Sequence, residues 1–204
     1  MRSLLPHSSR TPRPSSDGSL IGDRHVMSAA AVVFSFGHLE KKLGKPLSFL
    51  HAPVPGFQQD LNDLVNRTFD SLQPKRPLWR SNWFLVENGD LDDPSHHSYS
   101  TPEAAAKLTA QPSCQVAPES RWLKVEYQTL MRLPRTQSIL FTIRTYVEPI
   151  TELNKAPHAA ASLSRSIKTM GQSMRAYKGL VQPEVQERMI EYLDSIAAGQ
   201  QCGT

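Results

Sequence analysis

Two charged residues in adjoining runs of alternating residues open the chemistry of this chain. Between Arg121 and Pro149, apolar and polar residues alternate in two runs, the mark of half-buried strands. In the first run Leu123, Val125, Tyr127, Thr129 and Met131 share one face, and Lys124, Glu126, Gln128 and Arg132 share the other. In the second, Ile139, Phe141, Ile143, Thr145 and Val147 oppose Leu140, Thr142, Arg144, Tyr146 and Glu148. Leu133 to Gln137 suits a hairpin loop. Pairing Arg132 with Ser138 sets Glu126 directly opposite Arg144, with Cβ atoms about 5 Å apart. With Gln128, Thr142 and Tyr146 they form a polar cluster. The same pattern also suits a solvated sheet face whose rim ion pair is worth under about 1 kcal/mol. A slip of one residue puts the two charges on opposite faces.

His51 is the histidine best placed for chemistry. It stands between Phe49-Leu50 and the stiff Ala52-Pro53-Val54-Pro55 segment, whose prolines are expected to force an extended path. A ring held there has the fixed direction that an axial haem ligand or a general base requires. A hydrogen bond to turn backbone accounts for the same placement. His96 and His97 lie beside Asp90, Asp92 and Asp93 in a long loop, 88–118. Adjacent histidines do not easily converge on one tetrahedral centre, and no third fixed ligand accompanies them. His7 and His25 fall in the tail, His38 on a turn, and His158 near a helix start, where exposure is expected. There is no Gly-rich phosphate loop and no Gly-x-Ser-x-Gly elbow.

The 204 residues suffice for one core. The net charge of +4 comes largely from Arg2, Arg10, Arg13 and Arg24, so a basic tail explains it better than a nucleic-acid surface. No apolar run reaches the roughly 20 residues of a membrane span. Cys114 and Cys202 are too few for an iron–sulfur cluster or a cysteine zinc site. A reducing compartment, the cytoplasm, is expected; the Arg/Ser-rich start also suits a mitochondrial transit segment.

Composition divides the chain into a basic Ser/Pro-rich tail (1–27, expected to be disordered), one domain (28–198) and a short C-terminal tail (199–204). Within the domain, 28–36 reads as a buried strand. Phe57 to Leu72 reads as an amphipathic helix facing inward through Phe57, Leu61, Leu64, Val65, Phe69 and Leu72. Trp79 to Val86 reads as a strand. Ala156 to Tyr177 is helical, with Leu163, Ile167, Met170, Met174 and Tyr177 on one stripe, Gly171 as a break and Gly179 as a cap. Pro183 to Ala198 is a last helix, facing inward through Val185, Met189, Leu193 and Ile196. The fold class is α+β.

Five motifs then occur in order: Gly44-Lys-Pro-Leu with Leu50-His-Ala-Pro-Val-Pro-Gly-Phe57; Arg80-Ser-Asn-Trp83; Val125-Glu-Tyr-Gln-Thr-Leu-Met-Arg-Leu-Pro-Arg135; Leu140-Phe-Thr-Ile-Arg-Thr-Tyr146; and Tyr177-Lys-Gly-Leu180. Over about Ala29 to Leu193 the chain resembles the haem-dependent oxidative N-demethylase, alpha-subunit-like family, which has many fungal members. The resemblance implies a PAS-like antiparallel sheet with flanking helices around a b-type haem. It implies oxidative demethylation of a small secondary amine such as dimethylamine by dioxygen. Electrons would come from NADPH through a flavin and iron–sulfur reductase, here a separate partner. No nucleic acid or membrane is implied. By the same resemblance His51 becomes the axial ligand of the haem iron. Glu126 holds the substrate ammonium or relays protons. Arg144 and Arg132 pair with haem propionates or with Glu126, and Asn82 and Trp83 line the cavity. The family usually reads Glu-Arg-Gln where this chain has Glu126-Tyr127-Gln128. It also has a strand before Ala29, so the sheet is expected to be incomplete at its N-terminal side. A PAS-like haem or ligand sensor without turnover, and an interaction protein without cofactor, are the alternative readings.

Overall fold

The structure is a computed structural model that describes residues 25, 27, 42–91 and 117–199. The strand expected at 28–36, the turn at His38, the loop around His96 and His97, both cysteines and most of the two tails lie outside the described residues. The architecture is α+β. Among the described residues three antiparallel strands, β1 (Leu78–Val86), β2 (Trp122–Arg132) and β3 (Ile139–Pro149), form a sheet with β2 in the middle. Around it stand α1 (Leu47–Leu50), a π-helical turn (Phe57–Leu61) running into α2 (Asn62–Ser71), then α3 (Pro157–Thr169), α4 (Gln172–Tyr177) and α5 (Pro183–Ala197).

The hairpin lies where the alternation places it, but its register is shifted by one residue. Arg132 pairs with Ile139, so Glu126 faces Thr145 and Tyr127 faces Arg144. The loop causes the shift. Leu133 N–H donates to the Ser138 carbonyl at 2.8 Å and Gln137 N–H to the Leu133 carbonyl at 2.9 Å, with Gln137 at φ 58°. Ser138 therefore belongs to the loop, and every pair beyond it moves by one.

Burial corrects a second expectation. The polar face of β2 is covered rather than solvated: Lys124, Glu126 and Gln128 are only 3%, 5% and 5% exposed. Tyr127, on the other face, is exposed. The apolar core sits against that other face, at the Val86 end of the sheet. Leu85, Ile150, Leu163, Ile167, Leu180, Met189 and Leu193 form it, with Trp83 and Leu123 packed alongside. α3 and α5 supply most of these side chains at helical spacing, and Pro183 opens α5 where its missing N–H costs nothing. Met170 and Gly171 separate α3 from α4.

The chain after α4 closes one edge of the sheet. Leu85 N–H donates to the Lys178 carbonyl at 2.9 Å. Gly179 makes that approach possible, because it adopts φ 92° and a Cβ there would overlap the Leu85 carbonyl oxygen. The 51–57 segment also departs from expectation. It curls through two turns, with Val54 N–H donating to His51 O at 2.8 Å and Phe57 N–H to Val54 O at 3.1 Å. Pro55-Gly56, with Gly56 at φ 72°, has the type II turn signature. In the following helix Asn62 and Asn66 are buried and Leu61 and Leu64 are exposed. The π-helical start rotates the later residues away from a uniform 3.6-residue stripe.

Candidate functional site

Residues of one parity on each strand build a polar surface in rows: Arg80·Gln128·Ile143, Asn82·Glu126·Thr145 and Phe84·Lys124·Val147. Arg80 Nε donates to Gln128 Oε1 at 2.7 Å, and Gln128 Nε2 donates to Glu126 Oε2 at 2.9 Å. The Lys124 ammonium lies 3.8 Å from Glu126 Oε1. From the covered edge of β1, Lys178 reaches over the same face and donates to Asn82 Oδ1. Its ammonium lies 4.5 Å from the Phe84 ring centroid and 5.6 Å from that of Tyr177, distances at which aromatic faces attract a cation. Three cations, Lys124 paired with Glu126, Arg80 linked to it through Gln128, and Lys178 beside Asn82, thus share one face with one carboxylate.

Burial tunes these groups. It pushes the Lys178 ammonium down to about 8; Arg80 pushes the same way and Glu126 opposes. Lys124 is also lowered by burial, against the pull of Glu126. The Tyr177 hydroxyl is raised, first by burial and then by the charge of Glu126. The Thr145 hydroxyl, directly across from Glu126, is buried without a hydrogen-bond partner among the described residues. Buried hydroxyls are ordinarily paired, so an orphan marks a place for another group.

His51 caps the adjoining segment. Its Nδ1 donates to the Leu47 carbonyl at 2.9 Å, and its ring stacks on Phe57 with centroids 4.4 Å apart. Burial holds its pKa below the ordinary histidine value; the Leu47 bond opposes this and the Arg80 charge adds to it. The imidazole is therefore neutral at pH 7. Among the described residues, nothing hydrogen-bonds Nε2. A groove of about 740 Å³ runs beside the ring, lined by Lys45, Pro46, Phe49, His51, Val54 and Phe57, within the size range of small-molecule pockets. A neutral imidazole whose Nδ1–H is fixed on a backbone carbonyl is the arrangement that metal-ligating histidines adopt. These residues fit a haem.

The structure distributes the other sequence-derived candidates differently. Glu126 and Asn82 share the polar face in adjacent positions. Arg144 is on the opposite face, exposed, with its guanidinium 5.1 Å from the Tyr146 ring centroid. The Glu126–Arg144 pairing fails because of the one-residue shift. Trp83 also faces away from Asn82, as strand neighbours must, and packs against the apolar core. Arg132 is on the polar face, but its guanidinium binds the carbonyls of Leu72 (2.7 Å), Phe69 (2.6 Å) and Gln137 (2.7 Å). It ties the hairpin to the end of α2. Sequence reasoning missed Arg80, Lys124, Thr145 and Lys178 as site residues. Arg80 and Lys178 were within reach, since each lies inside one of the five ordered motifs.

Among the described residues no helix is long and apolar enough to cross a membrane, and no cluster of three metal-ligating side chains occurs. One family, described as haem-dependent oxidative N-demethylase, alpha subunit-like, matches residues 12–188. The match covers most of the 204 residues; the chain belongs to the haem-dependent oxidative N-demethylase, alpha subunit-like family.

Proposed function

We propose that the chain is a haem protein that oxidatively demethylates a small secondary amine, using dioxygen and electrons from a separate reductase. The observation that carries this reading is His51: neutral, with Nδ1 committed to Leu47 and Nε2 without a partner among the described residues, beside a groove of ligand size. His51 would ligate the iron of a b-type haem. The bound haem would supply the oxidising chemistry, as cofactors do. The protein's part is to bind, orient and manage protons. Glu126, anchored by Gln128, faces the secondary ammonium. Asn82 fixes the position of Lys178, and Lys178 and Tyr177 form a polar wall beside Glu126. Phe84 and the Tyr177 ring beside it offer apolar surface to methyl groups. NADPH, flavin and iron–sulfur centres belong to the reductase partner. The cytoplasm suits such electron supply.

Titration of the purified chain with haem tests the reading. A Soret band saturating at one haem per chain is expected, with a shifted or lost band in His51→Ala. Oxygen uptake with a secondary amine and a chemical reductant should then follow. An unchanged Soret band in His51→Ala removes the axial role. Haem binding without amine-dependent oxygen uptake favours a sensor.

A further inference from the structure

The charges around Glu126 do not suit a simple ammonium. Arg80, Lys124 and Lys178 place three positive charges about one carboxylate, and a secondary amine is itself a cation at neutral pH. Lys124 is the least satisfied of them. It is 3% exposed, and among the described residues its ammonium meets only the Glu126 carboxylate, at 3.8 Å. That separation makes an ion pair but is too long for a hydrogen bond, so the ammonium keeps donors for a closer acceptor. The orphaned Thr145 hydroxyl lies across from Glu126 and diagonal to Lys124, on the same face. Diagonal neighbours in an antiparallel pair are within reach of a long side chain. An ammonium held by one long ion pair and a hydroxyl without a partner among the described residues, on either side of a carboxylate, suit the two charges of a zwitterion.

We propose that Lys124 and Thr145 bind the carboxylate of the substrate while Glu126 faces its ammonium, so that the substrate is an N-methyl amino acid rather than a simple alkylamine. This rests on the amine-demethylase reading above and names its substrate class. The two charges of an N-methyl α-amino acid stand one carbon apart, as the Lys124 and Glu126 heads stand side by side. Charge-assisted hydrogen bonds give the carboxylate its selectivity.

Calorimetric titration of the full chain, with and without haem, compares N-methylglycine with dimethylamine. N-methylglycine should bind at least about tenfold more tightly. Lys124→Met should remove that preference, and the near-isosteric Thr145→Val should weaken N-methylglycine alone, by about threefold or more. Should Lys124→Met fail to fold, Thr145→Val carries the test. Equal affinities, or N-methylglycine binding unchanged in a folded Lys124→Met and in Thr145→Val, overturn the proposal. So does a Lys124→Met variant that loses haem affinity while the wild type binds no N-methylglycine, since the carboxylate is then the cofactor's. A chain that takes up no haem yet binds N-methylglycine through Lys124 refutes the demethylase reading and leaves the carboxylate subsite standing.

Discussion

Gly179→Ala is the sharpest test of how the site is held together. Three costs follow from the geometry. Alanine at φ 92° pays a conformational penalty of about 1–2 kcal/mol. Its Cβ would stand 3.1 Å from the Leu85 carbonyl carbon and overlap the oxygen, and backbone rather than a flexible side chain must yield. Yielding breaks the Leu85 N–H bond to Lys178 and strands a buried amide, a further cost of about 1–3 kcal/mol. The sum is about 2–5 kcal/mol before any loss from displacing Lys178. A domain of ordinary stability retains about 5–15 kcal/mol, so the variant should remain folded but weakened, melting roughly 4–20 °C lower. Urea unfolding and thermal melts measure this. Gly171→Ala is the control: a methyl group added at that glycine would meet no atom within 4 Å, and its φ of −68° is ordinary, so the change should be neutral or mildly stabilising. A Gly179→Ala protein within about 1 kcal/mol of wild type would refute the edge closure by Lys178 and Gly179.

Other outcomes follow from single residues. Lys178 has a folded pKa of about 8, against 10.5 for the free side chain. The unfolded chain therefore holds more protons between these values, and stability should rise with pH from about 8 to 10.5; Lys178→Met should lack that rise in denaturation series at fixed pH, relative to wild type. Arg132→Ala should cost about 2–4 kcal/mol by releasing four backbone carbonyls, that of Asp70 at 3.4 Å included, and Arg132→Lys should recover little of it in urea unfolding, because an ammonium lacks the planar fork. Leu193→Ala, at a fully buried core position, should cost about 2–5 kcal/mol in the same assay.

Much of the framework was legible in the sequence. Period-2 alternation located β2 and β3, and the Leu163–Ile167 and Val185–Met189–Leu193 spacings located the buried stripes of α3 and α5. Alternation divides a strand into two faces but does not say which is covered. Here the face with Lys124, Glu126 and Gln128 is buried, which period alone cannot reveal. Register escaped as well, because it depends on Gln137 taking a left-handed conformation that a glutamine rarely adopts. Pro55-Gly56 did carry a turn signal, outweighed by reading the two prolines as an extended path. For the site, Glu126, Asn82 and His51 were identifiable from motif and context. Lys178 also stood in a motif, but its place on the polar face was not readable, since it gets there only through a chain crossing 96 residues away in sequence from Asn82.

The loop from Leu133 to Ser138 has a meaning for how such a chain can change over evolutionary time. Surface loops usually accept insertions and deletions freely. A single-residue change in length here has two fates: it is absorbed as a bulge at the tip, or it passes into β3. In the second case Thr145 leaves the row of Glu126 and Arg144 enters the polar face with a further positive charge. Residue types at 134–136 are thus free to drift, while residue number is under constraint. The length of a loop that touches no ligand would then be inherited as strictly as a catalytic side chain.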